Sequence, residues 1–297
     1  MKQSLQRRNF LRNGLIAISG LMFIQNRTKA GKTANSLAEA NFQPVNQTLE
    51  IINNLHTTHG NFQDKPIPDA DIELIKKASV RAANASNMQT YSIIVVKDRK
   101  KIKDVSTYEG SAMLLFCIDY NRLIDCANSL EHDYYPDNMT NFVTASINTS
   151  LAAQTAVIAA QSMGIDTLLT NGIHRGDMQR VWGILDLPQK KCFPLIALVL
   201  GYATEEEPFH KGRLEGTGVF HEEKYQKLTP EEIQLLIDTY DNKENHLGLY
   251  EGWDKDGHKH YLDWLHSYWL GDQSKPTTAT TEVFKFIKRS GFVEPEG

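Results

Sequence analysis

Apolar positions along the chain fall into two kinds of run. Four are short and nearly continuous: residues 91–96, 113–118, 167–170 and 195–201. Runs of this length, apolar or β-branched between polar turns, are too short for helices and predict strands. Other stretches repeat at helical spacing. Residues 48–55 form one such stretch. Residues 69–83 follow Pro66-Ile67-Pro68 and place Ile72, Ile75 and Ala78 on one face, with Asp69 as a cap. Residues 142–163 are apolar on most sides, rich in Ala, Ser and Thr, and stop at Gly164. That pattern predicts a buried helix whose small side chains admit another backbone closely. Thr229-Pro230-Glu231-Glu232 is a capping box with Pro in the first turn, opening a helix through Tyr240.

Strands and helices interspersed in this way predict an α+β fold, a central mixed sheet flanked by helices. Residues 41–213 carry the pattern. Residues 214–297 are more polar, hold Trp253, Trp264 and Trp269, and read as a helical extension packed on the first part. No strand leads into G-x-G-x-x-G and no G-x-x-x-x-G-K-[ST] occurs, so neither a dinucleotide-binding crossover nor a P-loop is predicted.

Charge divides the chain differently. The 297 residues carry a net charge of −4, yet residues 1–38 hold seven basic residues and no acid. The remainder has 25 basic against 36 acidic residues, a net of −11, which gives no bulk attraction for nucleic acid or anionic lipid. The basic start runs into an eleven-residue apolar stretch, residues 14–24, too short to span a bilayer, which takes about 20 residues. That is the layout of a signal peptide. Gln6-Arg7-Arg8-Asn9-Phe10-Leu11-Arg12 resembles the twin-arginine export signature, with cleavage expected after Ala40 or Ala30. A periplasmic or otherwise exported protein is therefore expected, meeting a membrane only through residues 1–40. The three cysteines, Cys117, Cys126 and Cys192, lack zinc-site spacing, and Cys117 reads as a buried strand residue. His258, His260 and the run Glu131-His132-Asp133 read as solvated loop side chains rather than metal ligands.

The chemistry is carried by an order of segments. His56-Thr57-Thr58-His59-Gly60-Asn61-Phe62 precedes Asp64-Lys65-Pro66-Ile67-Pro68; a helix follows, then Asn84-Ala85-Ser86-Asn87-Met88-Gln89 and a strand. Later come Ala152 to Gly164, Asn171-Gly172-Ile173-His174-Arg175, Leu198 to Tyr202, and His210-Lys211-Gly212-Arg213. In this order the chain resembles the nitroreductase family of FMN-dependent oxidoreductases, over residues 45–292, and its longer NADPH-preferring branch.

The resemblance implies an obligate homodimer with FMN at its interface, passing two electrons through flavin N5 in ping-pong fashion to an electron-poor acceptor such as a nitroaromatic, quinone or flavin. A degenerate protein of this fold that binds flavin or a small aromatic without turnover is the alternative. Carried over residue by residue, Asn87 and Gln89 meet the isoalloxazine, the Gly172 backbone N–H approaches N5, and Lys211 and Arg213 hold the phosphate. No protein nucleophile is implied; Tyr91, His174 or Arg175 could polarise a substrate. His56, Thr57 and His59 stand where the family has Arg, Ser and Arg, so FMN affinity should vary with pH if both histidines face the cofactor. Gly212 replaces the proline of the family's Lys-Pro-Arg and suggests a looser loop. Between Arg213 and Arg289 there is no arginine to take an NADPH 2′-phosphate, which makes NADPH a doubtful donor and leaves the electron donor unknown.

Overall fold

The computed structural model describes residues 46–205, 208–271 and 281–293. The export signature and both cleavage positions lie outside these residues. All four expected strands form: β1 (Tyr91–Val96), β2 (Ala112–Asp119), β3 (Asp166–Thr170) and β4 (Cys192–Gly201). Their order across the sheet is β1-β2-β4-β3, and every pairing is antiparallel. The expected mixed sheet is thereby corrected. An apolar run records burial on both faces and carries no information on strand direction.

β2 is the central strand, and its alternation divides the core in two. Ala112, Leu114 and Phe116 face one apolar cluster. Met113, Leu115 and Cys117 face the other. A register shift against β4 falls between Phe116 and Cys117, and Ile118 joins the same cluster as Cys117. Cys117 and Cys192 are buried free thiols, and Cys126 is exposed. Burial holds the Cys117 thiol well above its ordinary pKa, so it remains a neutral core side chain.

The helices are α1 (Gln47–Asn53), α2 (Asp69–Ser79), α3 (Arg99–Ser106), α4 (Asn121–Ser129), α5 (Met139–Ser162), α6 (Gln179–Leu185), α7 (Pro230–Asp241), α8 (Tyr261–Trp264) and α9 (Glu282–Arg289). α5 lies on the sheet through Ala145, Ala152, Ala153, Ala156 and Ala160, all fully buried. Alanine at these positions lets helix and sheet approach closely, as the composition predicts. The other side of α5 carries Met139, Val143, Ile147 and Leu151, which are 44%, 49%, 55% and 41% exposed. Four-residue spacing aligns them in one apolar ridge that is left partly exposed among the described residues.

α7 opens on the expected capping box of Thr229 and Glu232. It leads into an extension with its own aromatic cluster of Trp253, Tyr261 and Trp264. His260 Nδ1 pairs with Asp241 at 2.5 Å and so anchors the extension internally. Among the described residues no group of three or more His, Cys, Asp or Glu side chains is placed to hold a metal ion.

Candidate functional site

Two segments converge on α5 at different heights. The first leaves α1 and crosses the C-terminal end of α5. The His56 N–H donates to Gln161 Oε1 (3.3 Å), while Gln161 Nε2 donates to the His56 carbonyl (2.6 Å) and to Thr167 Oγ1 (2.8 Å). The His56 ring then lies between two acceptors, the Asn54 carbonyl 3.1 Å from Nδ1 and Asp166 Oδ1 3.1 Å from Nε2. Its face stacks on His210, with centroids 5.4 Å apart and planes 18° from parallel.

Thr58 bonds its N–H to the Thr167 carbonyl (2.9 Å), which turns its side chain inward. It is buried, whereas Thr57 and His59 are exposed. The hydroxyl beside His56 in this structure therefore belongs to Thr58 rather than Thr57, and His59 points away. In extended chain a register difference of one exchanges inward and outward side chains, and that is the difference between Thr57 and Thr58 here. His56, Thr58, Gln63, Asp166, Tyr202 and His210 line a cavity of about 450 Å3.

The second segment is the turn before β1. Ser86, Asn87 and Gln89 have φ of 50°, 53° and 51°. Three left-handed non-glycine residues within four positions form a strained arrangement that must be held from outside. Asn84 Oδ1 holds it by accepting the Gln89 N–H (2.7 Å). Asn148 of α5 does so from the other side, accepting from Ala85 N–H (3.0 Å) and donating to Thr90 Oγ1 (3.1 Å). Asn87 and Gln89 are exposed, with Gln89 Nε2 3.4 Å from Asn87 Oδ1. Arg122 donates to the Gln89 carbonyl. Beside the turn, Lys76, Lys77, Gln89, Tyr91 and Arg122 border a second cavity of about 400 Å3. Burial raises the Tyr91 phenol pKa, with Arg122 opposing, so the hydroxyl is a neutral donor at physiological pH.

The remaining expected residues are placed differently. Gly172 is buried, and its N–H already donates to Thr170 Oγ1 at 2.9 Å. Its missing side chain leaves room for the Ser106 carbonyl, which would stand 2.7 Å from a Cβ. In this structure the glycine at 172 serves close packing. Lys211 Nζ donates to the Gly248 carbonyl (2.7 Å), and Arg213 donates to the Lys211 and Gly212 carbonyls. Gly212 does not loosen this loop. A Cβ there would stand 2.0 Å from the Asn245 carbonyl, and its N–H donates to the His246 carbonyl (3.2 Å), so glycine permits a tight dock. His174 is engaged with the Pro194 carbonyl (2.9 Å), and burial lowers its pKa, leaving it neutral and structural.

Sequence reading missed Asp166, the stacking of His210 on His56, and all of the unmet groups but Tyr91. Among the described residues, four buried side-chain polar atoms have no hydrogen-bond partner: Thr58 Oγ1, Asn84 Nδ2, Tyr91 OH and Ser290 Oγ. Three of the four belong to the two segments just described. Folded proteins rarely leave such atoms unpaired, because each costs about 1–3 kcal/mol. Their concentration here sets these two segments apart from the rest of the described residues. Hydroxyls and amides on the turn suit a heteroaromatic ring with mixed donors and acceptors, and the Lys211/Arg213 loop supplies cations for an anionic group. The residues present therefore fit a flavin nucleotide.

Comparison with known proteins agrees with this chemistry. The nitroreductase family model matches residues 56–122. The chain is 30% identical over 207 residues to "FMN reductase (NADPH)" of Bacillus subtilis, covering 66% of this chain and 81% of that protein. It is 29% identical over 203 residues to "NADPH-flavin oxidoreductase" of Vibrio harveyi, covering 66% and 81%. Among solved structures, Bacillus megaterium NfrA1 superposes with a TM-score of 0.69 at 26% identity, over 83% of this chain and 99% of that one. A Bacteroides fragilis protein described as a putative oxidoreductase does so with 0.69 at 25%, over 82% and 100%.

Proposed function

The chain belongs to the nitroreductase family, and from that premise we propose that it is an exported, homodimeric FMN-dependent oxidoreductase acting on electron-poor acceptors. The observation that supports the cofactor assignment best is the gathering of unpaired buried polar atoms in residues 56–59 and 84–91. Bound FMN supplies the two-electron chemistry. The protein's own work is to bind and orient. The strained 84–89 turn presents amides to the ring, Thr58 adds a hydroxyl, and Lys211 and Arg213 hold the phosphate.

The placement of the two segments supports the proposed dimer. They are anchored to α5 at Asn148 and Gln161, thirteen residues or about 20 Å apart along the axis. One chain thus presents two half-sites rather than one pocket. A second copy packed on the Met139–Leu151 ridge would complete each with the complementary half.

Reduced nicotinamide is the proposed donor. The sequence argument against NADPH finds no support in the relatives, several of whose names include it. The acceptor class, a nitroaromatic, quinone or flavin, rests on the family resemblance alone.

Thr58→Val tests the site. Valine keeps the shape and removes a hydroxyl that has no partner, so the apoprotein should become more thermostable. FMN affinity should fall by about fivefold to a hundredfold, the value of about 1–3 kcal/mol for one buried hydrogen bond. Calorimetric titration together with thermal unfolding reads both, and unchanged FMN affinity would place Thr58 outside the site.

Export is proposed from residues 1–40. Fractionation of cells expressing the full chain should find it outside the cytoplasm, and Arg7→Lys with Arg8→Lys should retain it inside. Equal partitioning of the two forms would refute twin-arginine export.

A further inference from the structure

Resting on the FMN reading above, we infer that the cavity beside the 84–89 turn recognises an oxyanion carried by a reactant of the flavin, with Lys77, Arg122 and the Tyr91 hydroxyl as its donors. Two reactants bring that chemistry: an aromatic acceptor bearing a carboxylate, and a nicotinamide donor bearing a 2′-phosphate.

Three elements build the site. Asp119, at the end of β2, fixes the start of α4. Its Oδ1 accepts from the Asn121 N–H (3.0 Å) and Nδ2 (2.9 Å), and its Oδ2 accepts from Ser92 Oγ of β1 (2.5 Å). Arg122 is the next residue and donates to the Gln89 carbonyl, which also accepts the Tyr91 N–H (2.8 Å). Guanidinium and phenol thus share one anchor. The last turn of α2 brings Lys76 and Lys77 to the same cavity.

The lining holds three cations and one carboxylate, Glu73. Glu73 is spent on Lys76 at 2.5 Å, and Asp119 behind Ser92 already meets three donors. Lys77 has no hydrogen bond or ion pair among the described residues, and Arg122 keeps N–H groups beyond the one given to Gln89. In a body of net −11 such a cavity is an exception, and a cleft lined by one sign of charge concentrates its field. The cavity at His56 is the opposite case, lined by Asp166 and Glu205 with no Lys or Arg. Favourable interaction with the helix dipole accounts for lysines at the end of α2. It does not account for Arg122, which comes from another element.

Tyr91 is the independent observation. It is 5% exposed and lines the cavity, and its hydroxyl has no hydrogen-bond partner among the described residues. Burial keeps the phenol neutral, so it can donate. A buried donor beside two available cations suits an acceptor that carries negative charge. Val80 and Ile93 add apolar wall for the ring that bears the anion. The arginine missing between Arg213 and Arg289 therefore has a substitute on α2 and α4. These residues position a reactant; no proton or electron passes through them.

The test is calorimetric titration of the FMN-loaded full chain with two matched pairs, 4-nitrobenzoate against 4-nitrobenzamide and NADP⁺ against NAD⁺. Absorbance follows the loading. In at least one pair the anionic member should bind about tenfold tighter or better, with the gap narrowing as salt rises. Preference in the first pair assigns the oxyanion to the acceptor, and preference in the second assigns it to the donor. Tyr91→Phe keeps the ring and removes a hydroxyl without a partner. It should weaken the preferred anion by about fivefold or more, with its neutral match and FMN itself each changing by less than about twofold. Lys77→Gln, which breaks no bond in the fold, should also weaken the anion and flatten its salt dependence. No preference in either pair, or a preference that survives either substitution, overturns the oxyanion site and leaves the flavin reading intact. Weakened FMN binding in Tyr91→Phe overturns it as well, by giving the hydroxyl to the cofactor. A full chain that takes up no FMN overturns the flavin reading, and this site with it.

Discussion

Val143→Glu combined with Ile147→Glu is expected to yield a folded monomer that retains no FMN. Both side chains are about half exposed on the outer ridge of α5, at 49% and 55%, so the single chain should tolerate the change. In a dimer closed over that ridge they would be buried against their own copies. An uncompensated buried charge costs several kcal/mol, and two per chain place four at one interface. Such a sum exceeds what holds an ordinary dimer at micromolar concentration, where about −8 kcal/mol is available. FMN should go with the dimer, since Asn148 and Gln161 carry different half-sites. Sedimentation velocity, flavin absorbance and far-ultraviolet circular dichroism read assembly, cofactor and fold separately. A dimer that persists, or a monomer that keeps FMN, removes the two-half-site account.

The second large effect is expected from Lys211→Ala with Arg213→Ala. Hydrogen bonds to charged groups contribute about 1.5–3 kcal/mol each, so the pair should lower FMN affinity by about 10²- to 10⁴-fold. Arg213 donates only to carbonyls of its own loop, and Arg213→Ala alone is the cleaner variant for folding. Lys211 also holds the Gly248 carbonyl, so its loss touches the dock of the extension as well. Comparative titration separates these roles. A phosphate contact weakens FMN selectively, whereas equal weakening of FMN and riboflavin would assign the loop a structural part only.

The sequence made some of this legible and hid the rest for physical reasons. The four strands were readable because each is a short apolar run between polar turns, and α5 because its small residues extend over 24 positions. α3, α4 and α6 are 8, 9 and 7 residues long, so each offers barely two turns in which a period can register. Strand direction was beyond reach, hence the mixed sheet expected where an antiparallel one forms. At the candidate site, the motif singles out Asn87 and Gln89. Asn84 beside them is not singled out, although its amide oxygen pins the turn and its NH2 group is left unpaired. Thr57 and Thr58 are identical letters, and only the bond from Thr58 to Thr167, more than a hundred positions away, decides which faces inward. The tight fit of Gly212 depends on Asn245 in the same way. The pairing of His56 with His210 and Asp166 likewise joins three distant segments, and no local spacing announces it.

The central claim is a flavin nucleotide held between two copies of this chain. Native mass spectrometry of the purified full chain, after incubation with excess FMN and removal of the unbound fraction, tests it in one spectrum. The account predicts a dimer carrying two FMN molecules, with no flavin on any monomer. Flavin-free dimers, or monomers carrying FMN, would contradict it.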